Sequence, residues 1–175
     1  GGGAGEKFVG GLPSLDLWGY QNCVITPENE VLATDNVVEI KLDAYVGSAP
    51  TNWGLNIMTF ATVDGGGFDG RAFDLNLKTD GVVSIWDGAT SNDVPGGTFR
   101  TNTWIPVEFV VDYGNGTLQG TVDGFTFAST LLPPETFPGN NTLRYLTVNE
   151  AGYSPVFVDN VLITIPSIGE EADYN

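Results

Sequence analysis

The sequence predicts an all-β fold, a two-sheet antiparallel β-sandwich of the jelly-roll type. No stretch of ten or more residues has a convincing helical period. Short runs rich in β-branched and aromatic residues, roughly a dozen, alternate with turns rich in Gly, Pro and Asn, as in sandwiches and barrels. The 175 residues, which include 24 Gly and 10 Pro, suit one domain.

The first half of the chain contains the clearest strand patterns. Residues 36–46 alternate strictly, which predicts a strand with one buried face. Residues 53–63 are apolar on both faces and predict a central strand. The side chains predicted to face the core from these and the next two strands are Val38, Ile40, Leu42, Ala44, Phe73, Leu75, Leu77, Val83 and Ile85. Trp86 is predicted to face the opposite way from Val83 and Ile85.

Residues 108–127 predict a three-stranded meander with tight turns at Asn115-Gly116 and Asp123-Gly124. A two-residue type I′ turn at Asn115-Gly116 would place Phe109 opposite Val122. By the same register, Val111 would face Gly120, Asp112 would face Gln119 and Val110 would face Thr121. The second turn would place Phe125 opposite Val122, and Phe127 opposite Gly120.

The same register places Glu108 opposite Asp123. Two carboxylates that face each other repel unless a cation or a shared proton lies between them. A metal site and an acid–base pair are therefore both open. The alternative is that Asp123 serves only the turn, where Asp is common for backbone reasons.

The charge and composition of the chain exclude several classes of function. It has 22 acidic and 6 basic residues and a net charge of −16. Nucleic acid is therefore not expected as a partner, because phosphate binding needs clustered Lys and Arg. The absence of His excludes Ser-His-Asp catalysis and His-based metal sites. The single cysteine, Cys23, cannot form an intrachain disulfide.

The ends of the chain differ from its middle. We expect residues 1–10 to form an extended segment that could contact another subunit, residues 11–167 to form one β-sandwich, and residues 168–175 to form an acidic tail. No signal peptide or transmembrane run is visible, so no membrane insertion is expected. Asn115 and Asn140 fit the glycosylation sequon. These sequons are weak support for an extracellular or cell-surface location.

Three segments carry a resemblance to a known family. The stretch TNTWIPVEFVVDYGNGTLQGTVDG resembles the Trp-containing strand, hairpin and following strand of concanavalin A-like (laminin-G-like) jelly-rolls. FDLNLKTDGVVSIWDG is similar to the hairpin before it, and VFVDNVLITI to the closing strand. The resemblance spans approximately residues 36–165. It implies a fold shared by lectins, carbohydrate-binding modules, glucanases, lyases and adhesive surface proteins.

The enzymatic branches of that family have motifs that this chain lacks. The glucanase type has E-x-D-x-x-E on one strand, whereas EIKLDAY has Glu39 and Asp43 at a different spacing and no third carboxylate. The lyase type combines His, Tyr and Arg, and histidine is absent. We therefore expect a non-catalytic protein with no required cofactor.

Two sets of residues are candidate ligand sites. Aromatic, Asp and Asn side chains on outward strand faces could bind a glycan by stacking and hydrogen bonding: Tyr45, Asp43, Asn56, Asn76 and Trp86. The alternative is an ordinary polar face. Trp18, Trp53 and Trp104 are expected in the core or at its rim.

Asp64, Asp69 and Asp74 flank a Gly-rich stretch that could hold Ca²⁺, although a plain surface loop has the same composition. Asp159 and Asn160 interrupt the last strand. We expect them to tie that strand to the N-terminal one.

Two functions remain open. The first is a self-assembling structural subunit of a cell-surface or secreted filament or layer, held in a homopolymer by Phe8 and Val9 on a neighbour's sheet edge. The second is a soluble carbohydrate-binding module that takes a polysaccharide. Loss of assembly on deletion of the N-terminal segment would favour the first.

Overall fold

A computed structural model gives the fold. It describes residues 11–15, 21–25, 31–32, 37–50, 53–60, 71–131, 142–143, 145–150 and 155–164. The regular elements within these ranges are all β-strands, numbered in chain order below. They contain no helix long and apolar enough to cross a membrane.

The larger sheet has seven antiparallel strands. Their order across the sheet is β1 (Gly11–Leu15), β2 (Gln21–Ile25), β13 (Tyr145–Glu150), β5 (Leu55–Phe60), β6 (Arg71–Leu77), β7 (Val82–Trp86) and β8 (Ser91–Thr98). The strand β13 comes from late in the sequence and lies between β2 and β5. The strand predicted to be central, β5, has a neighbour on both sides, as its two apolar faces require.

The second sheet has five antiparallel strands. Their order is β11 (Phe125–Thr130), β10 (Thr117–Val122), β9 (Trp104–Asp112), β4 (Val37–Val46) and β14 (Val156–Thr164). A separate two-stranded ladder joins β3 (Val31–Leu32) to β12 (Thr142–Leu143). The two large sheets are those of a jelly-roll β-sandwich, which confirms the predicted fold class.

The core lies between the two large sheets, and β4 and β9 each contribute every second residue to it. The predicted inward side chains of β4, β6 and β7 are all buried, from Val38 to Ile85. The rings of Phe73 on β6 and Phe109 on β9 meet across the core with centroids 5.5 Å apart, edge to face. Burial of these apolar faces is the main term that stabilises a domain of this kind.

The first meander turn differs from the prediction. Phe109 pairs with Gly120, Val111 with Leu118 and Val107 with Val122, so the Phe109–Val122 register is wrong by two residues. Val110 pairs with Gln119, and Asp112 pairs with Thr117. A shift of two preserves the strand faces, so Phe109, Val111, Leu118 and Val122 are buried as predicted.

A four-residue loop over 113–116 causes this shift. The carboxylate of Asp112 accepts hydrogen bonds from the backbone N–H and the side-chain amide of Asn115, at 2.9 and 2.8 Å. Gly116 has φ of 67°, whereas Asn115 is not among the residues with positive φ, so a type I′ turn on this pair is excluded. The Asp112 carboxylate therefore stabilises a longer loop than the Asn-Gly motif predicts.

The second turn agrees with the prediction. Asp123 and Gly124 have φ of 49° and 83°, as a type I′ hairpin requires. Phe125 pairs with Val122, and Phe127 pairs with Gly120. A Cβ on Gly120 would lie 2.1 Å from the carbonyl oxygen of Glu108, so the packing of β10 against β9 admits only glycine there.

The predicted opposition of Glu108 and Asp123 is wrong. Glu108 pairs with Thr121 on β10 and with Lys41 on β4, whose Nζ lies 3.9 Å from a Glu108 carboxylate oxygen. Asp123 instead accepts two hydrogen bonds from the guanidinium of Arg100, at 2.8 and 2.7 Å. These two carboxylates therefore form neither a metal site nor an acid–base pair.

A β-bulge lies in β14 between Asp159 and Leu162, where β14 has one residue more than the paired stretch of β4. Asn160 has φ of 53°, and its side-chain amide donates a 2.7 Å hydrogen bond to Asp43. The closing strand is thus tied by this side chain to β4, rather than to the N-terminal strand as expected.

Candidate functional site

A row of polar positions crosses the whole seven-stranded sheet. Backbone pairing aligns one polar residue from each strand, which we call the polar row: Ser14, Asn22, Asn149, Asn56, Asn76, Ser84 and Asp93. Asn56, Asn76 and Ser84 alternate with side chains that enter the core, so they lie on the outer face of the sheet. Asp74 and Trp86 lie two residues away on the same face of β6 and β7.

The middle of this face is buried although it is polar. Asn56 is 6% exposed, Asp74 4%, Asn76 3% and Ser84 1%. The amide of Asn56 lies 3.5 Å from an oxygen of Asp74. Buried polar groups are almost always hydrogen-bonded, so the hydrogen-bond partners of this row have to be identified.

Two oxygens of the row have unused hydrogen-bonding capacity. Asn56 Oδ1 and Asn76 Oδ1 are buried and accept no hydrogen bond from the residues that the structure describes. A buried acceptor without a donor costs about 1–3 kcal/mol. The two residues are direct cross-strand partners on β5 and β6, so both acceptors belong to one small region.

Exposure rises toward the β7–β8 edge of this face. Trp86 is half-buried, and Asn92 and Asp93 are exposed. Lys78 continues the same face of β6 and donates to Asp93 at 3.0 Å, while its own side chain is only 14% exposed. Within the described residues, this face is therefore exposed at its β7–β8 edge, whereas Asn56, Asn76 and Ser84 are buried.

The structure divides the predicted glycan-binding set between the two sheets. Asn56, Asn76 and Trp86 lie on the seven-stranded sheet, whereas Asp43 and Tyr45 lie on β4 of the five-stranded sheet. The five residues therefore do not form one site. A single alternating strand predicts which way a side chain points, but it does not predict the sheet to which the strand belongs.

An aromatic patch covers one end of the outer face of the five-stranded sheet. Tyr45 pairs with Trp104 on β9 and with Phe157 on β14. Their ring centroids lie 5.9 and 5.5 Å from that of Tyr45, and all three rings are half-buried. Trp104 is thus on the outer face rather than in the core, and Trp53 is 49% exposed.

Of the three predicted metal ligands, the structure describes only Asp74. Asp74 is buried in the strand β6, not in a loop. Asp64 and Asp69 lie outside the described residues. Within the described ranges, no group of three or more Asp, Glu, His or Cys side chains could hold a metal ion. Calcium binding therefore stays a prediction that these residues neither support nor test.

The remaining predicted residues concern glycosylation, packing and assembly. Asn115 is exposed in its turn, but its side-chain amide is bonded to Asp112, so a glycan there would compete with the turn contact. Asn140, Trp18, Phe8 and Val9 lie outside the described residues. Their glycosylation, packing and assembly functions stay predictions.

Hydrogen bonds lower the pKa values of Asp87, Asp112 and Asp123. Hydrogen bonds from Thr90, Ala89 and Asn92 lower the pKa of Asp87. Bonds from the side chain and backbone of Asn115 lower that of Asp112. The Arg100 guanidinium lowers that of Asp123. A general acid needs the opposite shift, so these three carboxylates are not suited to that function.

Comparison with known proteins identifies the fold as concanavalin A-like. No protein-family model and no curated protein sequence matches the chain. Among solved structures, it is similar to lectin I-B4 from Griffonia simplicifolia, with a TM-score of 0.61, 10% identity, and coverage of 90% of this chain and 87% of the lectin.

Other similar structures include an enzyme and a binding module. The alginate lyase from Corynebacterium sp. aligns with a TM-score of 0.55, 13% identity, and coverage of 83% of this chain and 68% of the lyase. The carbohydrate-binding module CBM66 from Bacillus subtilis aligns with a TM-score of 0.51, 8% identity and coverage of 87% and 91%. The chain also spans 17% of the length of a sialidase that it matches.

These likenesses establish the concanavalin A-like jelly-roll fold. Lectins, binding modules and lyases share it, so the fold alone does not decide between binding and catalysis. The choice depends on the site residues of this chain.

Proposed function

We propose that the chain is a lectin-like module that binds a glycan on the outer face of its seven-stranded sheet. The observation that carries this proposal is the pair of buried oxygens, Asn56 Oδ1 and Asn76 Oδ1, that lack a donor within the described region. Sugar hydroxyls are donors that amide oxygens accept. A hydroxyl-rich ligand would therefore supply donors to both oxygens.

Trp86 gives this site its apolar surface. Glycan sites combine a few convergent polar groups with an aromatic or apolar wall. Trp86 is half-buried and lies on the outer face of β7 beside Asn76 and Asp74. A sugar ring that stacks on the indole could place its hydroxyls over the amide oxygens. The similarity to lectins and to a carbohydrate-binding module agrees with such a ligand.

Replacing Asn76 with Ala separates a ligand-binding function from a structural one. Because its oxygen lacks a described partner, its loss should leave the free energy of unfolding within about 1 kcal/mol of the wild type, or raise it. Glycan affinity should fall by roughly two- to tenfold, the value of one net hydrogen bond. Affinity is measured by retardation in gels that contain neutral polysaccharides, and stability by urea unfolding.

Trp86→Ala is the companion variant, and Thr98→Ala on the exposed edge strand is the control. Loss of the indole should weaken binding at least tenfold, which corresponds to about 1.4 kcal/mol, and the control should bind normally. If neither variant changes the retardation of a polysaccharide that the wild type binds, the site is wrong. If no polysaccharide retards the wild type, the glycan function itself is wrong.

A non-catalytic function goes with this proposal, since the glucanase and lyase residue patterns are absent from the sequence. An extracellular or cell-surface location also goes with it, because polysaccharides are met there. Incubation with alginate and β-glucans, followed by assay for new reducing ends or unsaturated products, tests the first point. Reproducible turnover would make the chain an enzyme.

A structural-subunit function is the second candidate. Within the described residues, β11 has a neighbour on one side only, and its pairing with β10 has no register shift. A regular edge of this kind can accept an added strand. In this hypothesis, the segment with Phe8 and Val9 supplies that strand from a neighbouring copy.

A further inference from the structure

The outer face of the five-stranded sheet has a groove that the proposed function does not use. It has a volume of about 410 Å³ and crosses β4, β9, β10 and β11. Backbone pairing aligns Lys41, Glu108, Thr121 and Thr126 across these strands. Gln119 lies in the next outward row, which Glu39 begins on β4. The volume is within the range of small-ligand sites.

The polar groups of this groove are available to a ligand. Lys41 and Glu108 are 52% and 56% exposed and 3.9 Å apart, so their pairing contributes little and can be rearranged. Gln119 and Thr126 are exposed to solvent. The groove therefore offers an amide and a hydroxyl beside a weakly paired carboxylate and ammonium. This chemistry suits ring hydroxyls.

The aromatic patch lies on the same face. Along β4, Tyr45 is four residues from Lys41, about 13 Å by strand rise, and both point outward because Leu42 and Ala44 enter the core. Cross-strand aromatic contacts also stabilise a sheet by themselves. Half-buried rings and a polar groove therefore lie on one face of the five-stranded sheet.

We infer that this outer face is a second polysaccharide-binding face, so that one molecule binds two glycan chains. The inference rests on the proposed function for its ligand class, but it uses a separate set of residues. The groove would hydrogen-bond the hydroxyls of one part of a linear chain, and the aromatic patch would stack against another. Because the core separates the two sheets, the two outer faces point in opposite directions.

The charge of the groove selects among glycans. Glu39 and Glu108 outnumber Lys41, and the whole chain has a net charge of −16. A uronate polymer such as alginate would meet repulsion at short range and in the field of the whole molecule. The ligand of this face is therefore a neutral polysaccharide.

The experiment uses the full chain and two sets of substitutions, one on each outer face. The first set changes the five-stranded face, in its groove and in its aromatic patch. Gln119→Ala with Thr126→Ala alters the groove at exposed positions, and Trp104→Ala alters the aromatic patch. Asn76→Ala with Trp86→Ala alters the seven-stranded face. Thr130→Ala, exposed on β11 outside the groove, is the control. Neutral polysaccharides (galactomannan, xyloglucan, mixed-linkage β-glucan and levan) are compared with alginate by gel retardation.

We expect each set to weaken retardation by the neutral polymer, and the two sets together to abolish it. Calorimetric titration with oligosaccharides of that polymer should give two sites per wild-type chain. A chain with substitutions on only one face should give one site. Wild-type protein that sedimentation shows to be monomeric should cross-link the polymer and make it turbid. Either variant should abolish that turbidity.

The outcomes separate the two proposals. If the seven-stranded-face variant loses all binding and the groove variant loses none, the second face is wrong and the proposed function stands. If the groove variant alone loses all binding, the second face is right and the polar row is not the site. If no polymer retards the wild type, both are wrong. Should Trp104→Ala fail to fold, the groove variant alone decides.

Discussion

Asp123 connects a turn, a strand and a loop through one carboxylate. Its side chain is 9% exposed and accepts two hydrogen bonds from the Arg100 guanidinium and a third from the Arg100 backbone N–H. Its own backbone N–H donates to the carbonyl of Pro106, so hydrogen bonds hold both the backbone and the side chain of this residue. Paired hydrogen bonds of this kind are stronger than a single point contact.

The lowered pKa of Asp123 predicts how this contact depends on pH. The unfolded state, with a pKa of about 3.9, binds a proton before the folded state does. The contribution to stability is therefore complete above that pKa and lost as pH falls through the folded pKa. Asp123→Asn should lower the free energy of unfolding at pH 7, and the gap to the wild type should close below about pH 4.

Urea unfolding across this pH range measures the gap. Glu108→Gln is the control, because its contact with Lys41 is long and exposed and should contribute little. A gap between Asp123→Asn and the wild type that stays constant down to pH 2 would assign the contribution to packing rather than to charge.

The strand faces and the hairpin at Asp123-Gly124 could be predicted from the sequence, but the pairing of β9 with β10 could not. Alternation has a period of two, so a register error of two residues around Asn115 leaves every buried side chain in its place. The pairing depended on Asp112, whose side-chain bonds to Asn115 favour a longer loop. The polar row was missed for a related reason, since Ser84 and Asp93 join Asn76 only after the strand order is known.

The bulge in β14 gives a prediction at the level of the element. Asn160 combines a positive φ of 53° with a hydrogen bond to Asp43. Asn160→Ala should destabilise the domain by about 1–2 kcal/mol, because alanine avoids the left-handed region. Asn160→Gly should cost less, since glycine adopts that conformation freely. Thermal unfolding of the two variants provides the comparison.

Asn102 is a matched control for this pair. It also has a positive φ, of 60°, and hydrogen bonds that join it to Ser48. The same order of Ala and Gly variants is expected at both positions. Equal losses for Asn160→Ala and Asn160→Gly would show that the bond to Asp43, not the backbone conformation, is what the bulge needs.

For the whole molecule, assembly and glycan binding predict different effects of removing the N-terminal segment. Deleting residues 1–9 should leave a folded domain that still binds polysaccharide if the protein is a binding module. If it is a structural subunit, the same deletion should abolish polymer formation, because the segment with Phe8 and Val9 is lost. Sedimentation of the full-length and truncated chains at high concentration, in calcium and salt, measures this.

Sedimentation has two decisive results for the structural-subunit hypothesis. A full-length chain that stays monomeric under these conditions would contradict it. Polymers that persist after truncation would contradict the function of Phe8 and Val9. The net charge of −16 makes salt an informative variable, since screening weakens repulsion between copies.

The position of β13 has a consequence for how the chain reaches this fold. Tyr145–Glu150 lies between β2 and β5, so the two parts of the seven-stranded sheet join only when a strand from late in the chain inserts between them. During synthesis, the facing edges of β2 and β5 have no partner until residue 150 has left the ribosome. Closing such distant contacts is slow. The seven-stranded sheet therefore depends on synthesis of β13, and a ribosome that stalls before it leaves two open edges that can pair with other chains.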